Sequence, residues 1–199
     1  MARATHMSLS YANAHSLNGE PAQRIMLVDD EPSILMSATR SLKAFPHQID
    51  TFEDPREALA HAKHTAYNVV ISDQRMPTIS GIDLLTKIRA LQPDCVTMIL
   101  SGFTDSTALL EAINRAHIFQ FICKPWIDDE LISAVKQAFI ISEKNYETRK
   151  MADRARVHDG SMTRHRACLR DLEARYPGIT NVERDENGAL LLRGKERPH

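Results

Sequence analysis

Cysteine is scarce in this chain of 199 residues, and its pattern argues against two classes of protein. The three cysteines, Cys95, Cys123 and Cys168, are odd in number and lack Cys-x-x-Cys spacing. Neither a disulfide framework nor a structural zinc site is therefore indicated. Cys95 and Cys123 fall in predicted strands, where a free cysteine behaves as a small core residue. We expect an interior held together by apolar packing.

Long apolar runs and a large net charge are also missing. No run reaches the roughly 18 residues that a membrane-spanning helix needs, and the N-terminus lacks the apolar block of a signal peptide. We therefore expect a cytoplasmic protein with no membrane partner. The formal net charge of −1 gives no overall attraction to nucleic acid. A hydrophobic content of 43% is enough for a folded core.

Short apolar runs alternate with helical patterns after a polar segment, residues 1–23, that we expect to be disordered. The strand candidates are 24–29, 48–52, 68–73, 95–101 and 118–122. The helix candidates are 32–44, 55–64, 80–91, 105–115 and 127 to about 150. This alternation predicts an α/β fold whose parallel sheet is buried on both faces. In such sheets, ligands bind beyond the carboxyl ends of the strands.

Polar residues that suit phosphate and cation chemistry follow four of the predicted strands. They are Asp29 and Asp30, Asp73, Ser101 and Lys124. A carboxylate can accept a phosphoryl group, and a divalent cation must then neutralise the phosphoryl oxygens. Magnesium needs only one or two carboxylates, which Asp29 and Asp30 can supply beside Asp73 as nucleophile. Lys124 adds a mobile positive charge. The pattern predicts a phosphorylation site at this edge of the sheet.

Each of these residues also has a simpler interpretation. Asp29 and Asp30 would suit an ordinary turn that caps a helix, and Lys124 with Pro125 would suit a plain loop. Convergence of all the strand ends on one edge favours the phosphorylation site. His61 and His64 have a spacing that resembles a metal site, but no carboxylate supports them. We expect them on the solvated face of a polar helix.

The order of these motifs resembles the receiver domain of two-component response regulators. The resemblance covers about residues 23–140, and Ser72-Asp73-Gln74-Arg75-Met76-Pro77 followed by Ser80-Gly81 is also typical of that family. It implies a flavodoxin-like, five-stranded parallel sheet of order 2-1-3-4-5 with helices on both faces. We assign residues 24–140 to this domain.

The resemblance also implies how the site residues divide their roles around Mg²⁺ or Mn²⁺. Asp73 is the phosphoacceptor, Asp30 the direct metal ligand and Asp29 the more water-mediated one. Asp73 and the backbone carbonyl of Arg75 complete the metal ligands. Lys124 contacts the phosphoryl oxygens.

Four further residues take roles from the resemblance. Ser101 moves toward the new phosphoryl group, and Phe121 turns inward behind it as the second switch residue. The family often has tyrosine at this position, so Phe121 lacks a hydroxyl that partners would otherwise bind. Arg75 and Gly102 are expected to tune the attack of water on the phosphorylated form.

The C-terminal part gives weaker patterns. We expect a helical extension or linker over 141–160, and a small tail over 161–199 with a helix near 163–175. Ile179–Val182 and Ala189–Leu192 flank Asn187-Gly188, which suits a β-hairpin. The segment from Lys144 to Arg170 contains eight Lys or Arg residues and three acidic residues. We interpret this excess as a solvated helical face or linker, although a basic helix can also contact phosphates.

Three functions fit these patterns. The chain is a phosphoacceptor that signals through protein contacts, a DNA-binding regulator that uses the basic segment, or an adaptor for a separate output enzyme. We see no room in the tail for a catalytic output domain, and we favour the first and third functions. The expected partners are a histidine kinase or phosphotransfer protein, a downstream protein and a second copy of the chain. Nucleic acid is left open.

Overall fold

A computed structural model describes residues 23–43, 47–102 and 117–180. In these ranges the strands are β1 Arg24–Val28, β2 Gln48–Phe52, β3 Val69–Asp73, β4 Val96–Gly102 and β5 Gln120–Lys124. The helices are α1 Pro32–Leu42, α2 Pro55–Ala62, α3 Gly81–Leu91, α4 Asp128–His158 and α5 Arg164–Arg175. The predicted helix over 105–115 and residues 1–22 of the predicted disordered segment 1–23 lie outside the described residues.

The strands form one parallel sheet in the order β2-β1-β3-β4-β5, which confirms the predicted α/β architecture. Asp73 pairs with Leu100 across β3 and β4, and Gly102 pairs with Lys124 across β4 and β5. This register brings the carboxyl ends of β1, β3, β4 and β5 to one edge. The edge is the one at which the sequence predicts the phosphorylation site.

The core has two layers because the side chains of each buried strand alternate between the two faces of the sheet. Ile25, Leu27 and Ile71 pack in the layer that contains α1 and α4. Met26 and Val70 pack in the layer that contains α2 and α3. Burying one such side chain fully contributes about 1.5–3 kcal/mol. Helices on both faces therefore explain the nearly continuous apolar character of the central strands.

Short local signals set where the helices begin. The Asp54 side chain accepts a hydrogen bond from the Arg56 N–H at 2.8 Å, and Pro55 occupies the first helical position of α2. The Ser80 hydroxyl likewise accepts from the Asp83 N–H at the start of α3, at 3.2 Å. These caps satisfy amide groups that have no partner within the helix.

The structure corrects the expectation for Cys123. Cys95 is buried as predicted, but Cys123 is exposed. The reason is its place in the sheet: β5 is an edge strand, and Cys123 faces away from Ile122, which is fully buried under α4. An apolar run on an edge strand therefore buries only part of its residues. Leu91, the last residue of α3, is also exposed.

Helix α4 runs to His158, beyond the predicted end near residue 150. Its extension is held to the domain by Arg149, whose Nε donates to Asp94 Oδ2 at 2.8 Å. Helix α5 lies at the predicted position and folds back on α4, although none of its residues is buried. Ile179 and Thr180 lie in a turn, and the rest of the predicted hairpin is outside the described residues.

None of the described helices is both long and apolar enough to cross a membrane.

Candidate phosphoacceptor site

Asp29 lies immediately after β1 and is buried, with only 1% of its surface exposed. Its backbone N–H donates to the Phe52 carbonyl at 3.1 Å, which extends the pairing with β2 by one step. Its Oδ1 accepts from the Glu31 N–H at 2.9 Å, so the carboxylate is fixed by its own turn. The neighbouring Asp30 is exposed. The two adjacent carboxylates therefore have very different environments.

Asp73 is the last residue of β3 and is buried at the same edge. Its Oδ2 accepts a hydrogen bond from the Arg75 N–H, and its backbone carbonyl accepts one from the Ser72 hydroxyl at 2.9 Å. Gly81 lies so close that a Cβ there would be 2.0 Å from the Asp73 carbonyl oxygen. The phosphoacceptor candidate is thus held by its side chain and by its backbone.

Lys124 bridges the two buried carboxylates. Its Nζ lies 2.6 Å from Asp29 Oδ2 and also contacts Asp73 Oδ1. Strand β5 places Lys124 beside Gly102 of β4, so the ammonium reaches across the sheet edge. Burial alone would lower the pKa of Lys124, but hydrogen bonds to Asp29 and Asp73 outweigh burial, and the pKa is raised. The lysine stays charged, and its single positive charge is shared between two carboxylates.

Burial raises the pKa of Asp29, and the charge of Asp73 adds to this effect. The hydrogen bonds from Lys124 and from the Glu31 N–H act in the opposite direction without cancelling it. The buried carboxylates of Asp29 and Asp73 therefore concentrate negative charge at this edge of the sheet. A cation lowers the free energy of such a site.

The donor set fits magnesium. Asp29 and Asp73 meet at a common positive group, the Lys124 ammonium, so their carboxylates are close enough to share a cation. Within the described ranges, no three His, Cys, Asp or Glu side chains form a ready-made metal cluster. Magnesium does not need one, because it commonly takes one or two carboxylates and keeps its waters. The choice of Asp30 as the direct ligand stays a prediction.

The two predicted switch residues, Ser101 and Phe121, lie on the neighbouring strands β4 and β5. Ser101 is buried near the end of β4 and pairs in register with Cys123, and its hydroxyl donates to the Gly102 carbonyl at 3.2 Å. Phe121 is half-buried against the α2–α3 layer. Both residues lie on strands that end at the site, and their movement stays a prediction.

The residues expected to tune water attack lie at the exposed rim of the site. The Arg75 side chain is exposed, while its N–H binds Asp73. Among the described residues, a Cβ at Gly102 would meet nothing within 4 Å. The effect of Gly102 on the attack of water stays a prediction.

Two supporting residues were missed as functional. The Ser72 hydroxyl donates a hydrogen bond to the Asp73 carbonyl, and Gly81 lies directly against that carbonyl. In the sequence, both residues belong only to a motif typical of the family. Gly81 is the first residue of a helix, a position that does not require glycine. Its presence there was the available signal that another backbone segment lies close to it.

The expectation for His61 was wrong. Its Nδ1 lies 2.7 Å from the Tyr67 hydroxyl, which in turn donates to Asp50 Oδ2 at 2.8 Å. Its ring also packs on Phe52, with 5.3 Å between the ring centroids. His61 is therefore half-buried in a polar network, because β2 and the segment before β3 close over this side of α2. His64 is exposed, as expected.

Comparison with known proteins gives a consistent family. The model of the response regulator receiver domain matches residues 25–136. The hydrogenase transcriptional regulatory protein HoxA of Cupriavidus necator is 36% identical over 120 residues, which are 57% of this chain and 23% of HoxA. The transcriptional regulatory protein PrrA of Mycobacterium tuberculosis is 31% identical over 59% of this chain and 50% of its own length. The chain thus matches a quarter to a half of these relatives.

Solved structures give the same result. An uncharacterized protein from Neptuniibacter caesariensis is 37% identical, with a TM-score of 0.59 over 60% of this chain and 89% of that chain. The signal receiver domain of an HD-domain-containing protein from Pseudomonas fluorescens Pf-5 is 26% identical, with a TM-score of 0.61. That match covers 71% of this chain and 98% of the other.

Proposed function

Because this chain belongs to the response regulator receiver domain family, we propose that Asp73 accepts a phosphoryl group from a histidine kinase or a phosphotransfer protein. The protein then signals through contacts that depend on phosphorylation. The single observation that carries this proposal is the position of Lys124 Nζ, which contacts Asp29 and Asp73 together. The Lys124 ammonium bridges two buried carboxylates. It can exchange its contact with one of them for a contact with a phosphoryl oxygen.

The reaction is a transfer between two protein side chains. An Asp73 carboxylate oxygen attacks the phosphorus of the phosphohistidine donor. The P–N bond breaks as the new P–O bond forms, and the departing imidazole nitrogen takes up a proton. Asp73 becomes an acyl phosphate, and Lys124 moves its contact from the carboxylate to a phosphoryl oxygen. Little covalent chemistry is needed from the protein, so positioning and charge compensation are its main contributions.

The residues at this edge would also hold a magnesium ion. Asp29, Asp30, Asp73 and the carbonyl of Arg75 are the ligands that we assign to it. When bound, Mg²⁺ neutralises negative charge on the phosphoryl oxygens. Asp29 and Asp30 keep the Asp73 carboxylate in a site that attracts cations.

The phosphorylated state differs from the free state at Ser101 and Lys124. A phosphoryl group shifts a conformational equilibrium only by its different interaction with the two states. We assign Ser101 the hydrogen bond to the new group and Phe121 the inward movement that follows. The surface that reads the change comprises 118–122 and the start of α4, and we propose that it also includes residues 105–115, which lie outside the described residues. A homodimer or a downstream protein would bind there.

A DNA-binding regulator is the second candidate. Two observations favour it: the relatives HoxA and PrrA are named as transcriptional regulators, and the end of α4 together with α5 is rich in arginine. The matched region of those relatives is the receiver domain. Their names therefore bear on the family more than on the C-terminal helices of this chain.

Intact-mass measurement tests the phosphoacceptor directly. With magnesium and a small phosphodonor, the wild-type chain should gain one phosphoryl group, and Asp73→Asn should gain none. Equal labelling of the two proteins would overturn the assignment. Asp30→Ala should weaken both magnesium binding and labelling, and Asp29→Ala should have a milder effect on both. An unchanged magnesium titration in Asp30→Ala would remove Asp30 from the metal site.

The output is tested by a comparison of assembly states. Sedimentation of the phosphorylated and unphosphorylated chain should show a shift in self-association, or a pull-down should capture a partner in one state alone. The Ser101→Ala variant, which keeps Asp73, should reduce the difference. Identical assembly and identical partners in both states would leave Asp73 as an intermediate in a phosphate relay.

A further inference from the structure

A groove of about 300 Å³ lies between the end of α4 and α5, far from the phosphoacceptor edge in the sequence. Its walls are rich in charge. The charged residues that line it are Arg149, Lys150, Arg154 and Arg164, with the carboxylates Asp153 and Asp171. A simple count of the charged side chains, four positive and two negative, gives the groove a small excess of positive charge. The ion pairs of these residues show that the excess is larger.

Both carboxylates in the groove are compensated by residues outside it. Asp153 is buried, and its Oδ1 accepts from Arg170 Nη1 at 2.7 Å and from Arg156 Nη1 at 3.4 Å. Asp171 accepts from the Tyr146 hydroxyl at 2.7 Å and lies 3.4 Å from Arg175 Nε. Asp153 Oδ2 also lies 3.9 Å from Arg149 Nη1, so Arg149 is the one groove cation with which a groove carboxylate pairs within the described residues.

One of the four cations is also compensated from outside. Arg149 Nε donates to both oxygens of Asp94, at 3.0 and 2.8 Å. Its Nη2 atom is buried without a hydrogen-bond partner within the described part of the chain. A buried N–H group without an acceptor is unfavourable, and a water or an anion is the usual remedy.

Lys150, Arg154 and Arg164 remain. The Lys150 ammonium lies 5.4 Å from the centre of the Tyr146 ring. Across residues 23–43, 47–102 and 117–180, no carboxylate lies within ion-pair distance of any of these three side chains. Three positive charges on two helices therefore line one groove, and neither groove carboxylate pairs with any of them in the described ranges. Their mutual repulsion is relieved when an anion enters.

We propose that this groove binds a phosphate group. A phosphate carries more than one negative charge, and the planar guanidinium groups of Arg154 and Arg164 match its oxygens with paired hydrogen bonds. The source of the phosphate is either a small phosphorylated molecule or the backbone of a nucleic acid. The proposal does not depend on phosphorylation of Asp73, because no residue of the phosphoacceptor edge lines the groove.

Calorimetric titration with inorganic pyrophosphate tests the site in the chain of 199 residues. Asp73→Asn protein in a chelator removes both magnesium and the phosphoacceptor from the measurement. The double variant Arg154→Gln/Arg164→Gln should bind pyrophosphate about tenfold more weakly, since two charge-assisted contacts are lost. Arg166→Gln is the matched control, because Arg166 is an exposed arginine on α5 that does not line the groove. It should leave the affinity unchanged.

A short DNA duplex, followed by fluorescence anisotropy at two salt concentrations, distinguishes the sources. Duplex binding that falls with salt and is lost in the double variant assigns the groove to a nucleic-acid backbone. Pyrophosphate binding without duplex binding assigns it to a small phosphorylated molecule. If the double variant has an altered circular dichroism spectrum, Lys150→Gln replaces it. Binding of neither probe, or an equal loss in Arg166→Gln, would overturn the proposal.

Discussion

Gly81 lies directly against the backbone carbonyl of Asp73. A Cβ at residue 81 would be 2.0 Å from the carbonyl oxygen and 2.9 Å from the carbonyl carbon. The Gly81 N–H also donates to the Gln74 carbonyl at 3.1 Å. The start of α3 and the end of β3 are therefore in rigid contact, and glycine is the residue that permits it.

Gly81→Ala should displace this contact. The extra methyl group meets backbone atoms that cannot rotate away, so we expect a loss of about 1–3 kcal/mol in the free energy of unfolding. Phosphorylation of Asp73 should slow as well, because the carboxylate moves with its backbone. Urea denaturation and the labelling rate measure the two effects. Gly102→Ala is the control for stability, since its Cβ meets nothing within 4 Å among residues 23–43, 47–102 and 117–180; equal midpoints in both variants would contradict the contact.

Lys124→Met should destabilise the protein at neutral pH. Asp29 and Asp73 then share a buried edge with no compensating cation, and we expect a loss of about 1–3 kcal/mol in the free energy of unfolding. Added magnesium should restore more stability in the variant than in the wild type. Lys87→Met, an exposed change on α3, should be nearly neutral. Unfolding curves of Lys124→Met that do not respond to magnesium would count against a shared cation site.

Tyr67 should make stability fall at alkaline pH. Burial, followed by the charge of Asp50 and its hydrogen bond, raises the pKa of Tyr67 well above its usual value of 10. Above about pH 10 the unfolded chain loses this proton while the folded chain keeps it, so the free energy of unfolding decreases as the pH rises.

Tyr67→Phe should flatten this alkaline decline. At neutral pH the same change should cost about 1–2 kcal/mol, because Asp50 and His61 lose a hydrogen-bond partner. Thermal unfolding from pH 7 to pH 11 measures both effects. The exposed Tyr176, changed to Phe, should leave the curve as it is. An unaltered alkaline slope in Tyr67→Phe would show that another group is responsible.

Arg75→Ala should shorten the lifetime of phosphorylated Asp73. The long side chain is expected to screen the acyl phosphate from water, whereas Gly102 leaves space on the other side. We expect about two- to fivefold faster dephosphorylation, which is under 1 kcal/mol of activation free energy. The decay of the phosphorylated protein is measured at fixed magnesium, with Arg56→Ala as a distant control. An equal or longer lifetime would contradict screening.

Two of the three cysteines should react with an alkylating reagent in the folded protein. Burial raises the pKa of the Cys95 thiol to about 12, and the thiolate is the reactive form. Cys123 and Cys168 are exposed. Mass spectrometry should therefore find two adducts under native conditions and three in denaturant. Equally rapid labelling of Cys95, judged against Cys95→Ser, would show that the packing at this residue opens readily.

Much of the fold could be predicted from the sequence because its signals are local. The alternation of apolar runs with amphipathic helices follows the strand and helix periods, which depend on neighbours along the chain. Asp54 with Pro55 and Ser80 mark helix starts for the same reason. The convergence of Asp29, Asp73 and Lys124 on one edge then follows from the parallel topology. The order of the strands came from the resemblance.

Tertiary contacts decided what local patterns do not contain. Cys123 is exposed because β5 is at the edge, and His61 is half-buried because Tyr67 and Phe52 close over it. Helix α4 continues past residue 150, where its buried Asp153 pairs with Arg170 of α5. Burial and ion pairing depend on which elements meet. A chain therefore specifies its helices and strands largely through its local sequence, while the exposure and charge of a single side chain depend on the assembled fold.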